Sequence, residues 1–72
     1  MPRKVRELET DLARAGYRKR AGKGSHRVWE HSLVPESVTM SGKSGDDADR
    51  YQEKQVRDAI RRVRDAQWRR QP

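Results

Sequence analysis

Seventy-two residues, 40% of them charged, with no cysteine and a net charge of +7, allow one domain with a thin core. They exclude a disulfide framework and a thiolate metal site, and two histidines are too few for a zinc site without carboxylate help, so no cofactor or metal is expected. No apolar run approaches the roughly 20 residues that span a bilayer, and the opening MPRKVRELET lacks the apolar core of a secretory signal, so no membrane partner is expected and the cytoplasm is the expected compartment.

Val5, Leu8 and Leu12 recur at intervals of three and four, which predicts a first helix over about residues 4–15 with one buried stripe. Gly16 supplies its stop, and Arg14 suits the negative end of the helix dipole. Residues 17–20 read as a short strand, followed by the turn Ala21-Gly22-Lys23-Gly24-Ser25 and a second strand over 26–31. Leu33-Val34-Pro35-Glu36 reads as a turn, because proline interrupts pairing, and residues 37–41 alternate polar and apolar as a third strand. The stretch GKSGDDAD, residues 42–49, has the composition of an exposed, mobile loop. Asp46, Asp47 or Asp49 then caps a closing helix over about 50–68, in which Val56, Ala59, Ile60 and Val63 keep helical spacing. The sum is a single α+β domain over 1–72 with the order α-β-β-β-α: a three-stranded antiparallel sheet with both helices on one face, as in double-stranded-RNA-binding domains.

The charge is segregated: residues 1–16 carry +1, 17–31 carry +4, 32–49 carry −3 and 50–72 carry +5. In the closing helix Lys54, Arg57, Arg61, Arg62 and Arg64 fall opposite the apolar stripe, so solvent or a polyanion meets them. Clusters of this kind beside a strand and along a helix are what a phosphate backbone selects, because each neutralised phosphate releases counterions. A merely soluble basic surface is the plain alternative.

His26 stands where the Gly-rich turn becomes a strand. Imidazole takes or gives a proton near neutrality, and RNA carries its own nucleophile in the 2′-hydroxyl, so His26 can serve as general base on that hydroxyl or as general acid on the departing 5′-oxygen, without a metal. The backbone of Gly22, Lys23, Gly24 and Ser25 suits close approach to a phosphate, and the Lys23 side chain suits its charge. A five-residue loop would set Arg20 opposite His26 and Tyr17 opposite Trp29, which makes Arg20 a further phosphate contact, with Arg27 beside it. The competing reading of His26 is a strand-initiating residue bonded to a neighbouring carbonyl. His31, five residues on, falls on the other face of the strand, and Glu30 lies about 13 Å along it, so neither partners His26 directly. Tyr17 and Trp29 read as core. Trp68, among Arg64, Arg69 and Arg70, reads as a partner contact or as the exposed end of the helix. If Val28 is the buried residue, His26 points inward unless a bulge intervenes.

A first helix ending in Gly16-Tyr17, then Lys23-Gly24-Ser25-His26 entering a strand, a Val38-Thr39-Met40 strand and a closing helix with Ile60 at its middle together resemble the HicA family of toxins. The resemblance runs from Val5 to about Val63, and Gly24-Ser25-His26 is its most specific element. It implies a small bacterial, cytoplasmic ribonuclease of double-stranded-RNA-binding-like fold that cleaves mRNA, is silenced by a HicB-like antitoxin, and uses His26 as catalytic residue. The chain departs from the family where a proline and a histidine commonly follow the third strand: it reads Ser41-Gly42-Lys43 there. A non-catalytic RNA-binding module of the same fold is the second reading, and a basic ribosome-associated protein the third.

Overall fold

The computed structural model describes residues 3–24 and 26–70, and of Arg70 the backbone alone. Helix α1 spans Val5–Arg14 and buries Val5, Leu8 and Leu12, the three residues of the apolar stripe. It ends in a Schellman motif: Gly16, with φ +100°, donates its N–H to the Ala13 carbonyl at 3.1 Å, and the Tyr17 N–H reaches the Leu12 carbonyl at 3.0 Å. That closure folds the chain back and brings Tyr17 into the core.

The α1 N-terminus is satisfied from an unexpected quarter. The Val5 and Arg6 N–H groups, which have no partner within the helix, donate to the carbonyls of Asp46 and Ser44 at 2.9 and 3.0 Å. The Ala48 N–H donates to the Arg3 carbonyl at 2.7 Å, and the Lys4 ammonium pairs with Asp47 at 2.5 Å. Residues 43–47 are exposed, as the sequence suggests, but the loop is fastened across α1 rather than free of the body.

Strands β1 (Arg18–Ala21), β2 (Arg27–His31) and β3 (Val34–Met40) form an antiparallel sheet in the order β1-β2-β3. Two expectations need correction. The turn before the third strand is Ser32-Leu33 alone, and the strand includes Pro35. Pairing runs from His31–Val34 to Trp29–Val38, so residues 35–37 lie in an irregular stretch of an edge strand, where a missing N–H costs no ladder bond. The β1–β2 register is also shifted by two: Arg20 faces Val28, Lys19 faces Trp29, and Ala21 faces Arg27. Arg20 therefore does not oppose His26, nor Tyr17 Trp29. The Tyr17 ring meets His31 instead, edge to face with centroids 5.1 Å apart.

Helix α2 spans Arg50–Arg70 and is capped by Asp49, whose Oδ1 accepts the Gln52 N–H at 2.7 Å and whose carbonyl accepts the Glu53 N–H at 3.1 Å. It contributes Val56, Ala59 and Val63 to one core with Val5, Leu8, Leu12, Tyr17, Trp29, Val38, Met40 and Ala48. Both helices thus cover one face of the sheet, giving the α+β architecture expected. Trp29 is the buried residue of β2, so strand alternation turns Arg18, Arg20, Val28, Glu30 and Thr39 to the open face.

Candidate active site at the β1–β2 turn

The turn is built by two glycines. Beyond the last pair, Ala21–Arg27, the Gly22 N–H donates to the His26 carbonyl at 3.1 Å, and a side chain at position 22 would bring its Cβ within 2.9 Å of that oxygen. Gly24 has φ +59°, which a primed hairpin turn requires, and the His26 N–H closes the turn onto the Lys23 carbonyl at 3.0 Å. The ladder therefore runs one rung further than a five-residue loop would allow, which accounts for the shifted register.

His26 is held at both backbone groups, while its side chain is exposed. It continues the alternation of β2 on the face of Val28 and Glu30, which resolves the parity question in favour of the open face. Lys23 and Gly24 are exposed beside it, and Ser25 lies outside the described residues. Arg20 is one rung along on the same face, about 7 Å by strand geometry, with its guanidinium 3.1 Å from Glu30. That pair is solvent-exposed, at 67% and 51% of the side chains, and holds Arg20 only weakly. The structure thus gathers His26, Lys23, Gly24 and, at the rim, Arg20.

Arg27 is not part of that group. It lies on the covered face, where its Nε donates to Glu9 at 2.8 Å and a terminal nitrogen donates to the Gly42 carbonyl at 3.0 Å. The same Glu9 oxygen accepts the Trp29 indole N–H at 2.9 Å. Glu9 and Arg27 are mostly buried, at 12% and 22% side-chain exposure, and they tie α1, β2 and the start of the 42–49 loop together directly behind the turn. Glu9 is the residue that sequence reasoning missed. Its signal is position: 5, 8, 9 and 12 make a full i, i+3, i+4, i+7 set, and a carboxylate in an apolar slot requires a buried donor.

His31 is placed on the other face from His26, as strand parity predicts. Its Nδ1 accepts the Leu33 N–H at 3.0 Å and its Nε2 lies 3.1 Å from the Ala15 carbonyl, so the ring takes the tautomer with the proton on Nε2. Both nitrogens are engaged and neither faces the turn. Behind it, Tyr17 donates its hydroxyl to the Ala59 carbonyl at 3.2 Å, and burial pushes its phenol above the ordinary tyrosine range.

The family model for the HicA toxin of bacterial toxin–antitoxin systems matches residues 5–68. The chain belongs to the HicA toxin family. Its role is that of the toxin in a toxin–antitoxin pair, and an antitoxin is the partner which that pairing implies. No curated protein and no solved structure matches the chain. Among the described residues no helix is long and apolar enough to cross a membrane.

Proposed function

We propose that this HicA-family chain is a metal-independent endoribonuclease acting on mRNA, with His26 as its proton carrier and a HicB-like protein as its antitoxin. The 2′-hydroxyl attacks the adjacent phosphorus, the bond from phosphorus to the 5′-oxygen breaks, and the products are a 2′,3′-cyclic phosphate and a free 5′-hydroxyl. His26 takes the proton from the 2′-hydroxyl or gives one to the leaving oxygen; water supplies the complementary transfer. Lys23 supplies positive charge where negative charge builds on the phosphate, and Arg20 is close enough to join it by exchanging Glu30 for the substrate. Arg27 serves as a structural brace. The observation that carries this reading is one exposed imidazole whose backbone is hydrogen-bonded on both sides within a glycine turn beside Lys23. It gives a fixed proton carrier at an open edge where an extended chain can lie.

A second reading, an RNA-binding module without catalysis, draws on a single feature: His31 is fully engaged elsewhere, so the turn has one histidine where a two-proton reaction profits from two. The two readings part in one experiment. The purified protein and its His26→Ala variant are incubated with a defined mRNA in EDTA and the ends are mapped. Cuts made by the native protein and lost in the variant support the ribonuclease. Intact RNA in both favours the binding module.

A further inference from the structure

Four cations outside the closing helix are held by acids: Arg3 pairs with Asp11 at 2.6 Å, Lys4 with Asp47, Arg20 with Glu30 and Arg27 with Glu9. Helix α2 carries a whole line of cations without such partners among the described residues. Arg50, Lys54, Arg57, Arg61 and Arg64 are all exposed, and among the described residues none of the five forms an ion pair. Their spacings of four, three, four and three keep them within about 40° of one line along the helix, and one further step of four reaches Trp68. Trp68 is 75% exposed. The line borders an open groove between α1 and α2. On the far wall Asp11 is already neutralised by Arg3; Glu53 and Asp65 flank the line but do not interrupt it.

We propose that this line is a docking track for the phosphate backbone of single-stranded RNA, separate from the His26 turn. The cations recur every 4.5–6 Å or so along about 21 Å of helix, close to the repeat of phosphates on an extended strand. Unpaired like charges at that spacing repel one another, and a polyanion relieves the repulsion. Four of the five are arginines, whose forked guanidinium grips phosphate oxygens in pairs. At the end of the line Trp68 offers an exposed ring for a base to stack on. A second copy of the chain would bring the same cations against themselves. A protein partner would need an exposed apolar anchor inside the patch; among the described residues the large exposed apolar side chains are Tyr51 and Trp68, near its two ends, with none between them.

The inference takes its ligand class from the ribonuclease reading, but its test is blind to cleavage. The probe is a labelled RNA of about 16 nucleotides, 2′-O-methylated at every ribose and so uncuttable by 2′-hydroxyl attack. Its affinity for the full chain is measured across a salt series. Replacing three cations together, Arg57→Gln, Arg61→Gln and Arg64→Gln, is expected to weaken binding at least tenfold at moderate salt and to flatten the log–log salt slope by about 2, from about 0.7 per phosphate contact. Trp68→Ala is expected to weaken binding about fivefold and leave the slope unchanged. All four positions are exposed, so both variants should melt with the native protein. An unchanged affinity and slope in the triple variant overturns the track. So does a triple variant that keeps RNA but loses a poly-glutamate probe, which would assign the line to an acidic protein. Whether His26→Ala still cuts mRNA alters none of these readouts, so failure of the track and failure of the ribonuclease reading are distinguishable.

Discussion

The two histidines of β2 and its approach are five residues apart and could hardly be placed more differently. His26 has its backbone pinned and its ring exposed at a turn of glycines. His31 has its ring pinned, one nitrogen by Leu33 and the other by Ala15, with Tyr17 against its edge. The same side chain is a structural bracket in one setting and, in the proposed ribonuclease, the proton carrier in the other, and strand parity separates the two. An odd spacing sends the two rings to opposite faces, one open and one covered by helices. The contrast teaches that histidine count is a poor guide to chemistry in a domain this small; the face each one occupies is the informative quantity.

His26→Ala should cut the rate of mRNA cleavage by about 10²–10⁴, the usual worth of a positioned general acid or base, with the melting temperature unmoved because the ring makes no hydrogen bond to another described residue. Initial rates alongside thermal melts measure both. Behind the turn, Glu9→Ala leaves the indole N–H of Trp29 and the guanidinium of Arg27 without their shared acceptor, and should cost about 2 kcal/mol in urea unfolding. A smaller loss of about 1–2 kcal/mol is expected for His31→Ala, which strips the Leu33 N–H and the Ala15 carbonyl of partners; its folded fraction should still cleave. The smallest effect belongs to Glu30→Gln. Stability should stay within about 0.5 kcal/mol, as for exposed pairs generally, while release of Arg20 from its 3.1 Å contact should tighten RNA binding slightly in a filter assay.

Much of this architecture is written in local pattern. Val5, Leu8 and Leu12 mark α1, Gly16 marks its end, and Val56, Ala59 and Val63 mark the buried side of α2, because burial of one face imposes the helical period whatever the partner. The placement of His26 and Lys23 at an exposed turn is legible for a similar reason, since glycines around a histidine at a strand entry are a local feature. What escaped depends on contacts distant in sequence. The register of β1 on β2 turns on whether Gly22 adds one more rung opposite His26, a question of close approach that composition does not pose. Pro35 joins β3 because the pairing there is irregular on an edge strand. The GKSGDDAD stretch looks free by composition, yet its carbonyls meet α1 amides some 40 residues away, from Asp46 to Val5 and from Ser44 to Arg6. Arg27 illustrates the same limit: its charge suggests phosphate, and only the fold reveals Glu9 waiting behind it.

The central claim is most directly tested by the two histidine variants side by side, assayed on one mRNA and melted in one buffer. The account predicts a crossed result: His26→Ala melts like the native protein and does not cut, whereas His31→Ala melts earlier and cuts at a near-native rate while folded. A His26→Ala protein that cuts at the native rate, or a His31→Ala protein that is fully folded yet inert, would contradict it.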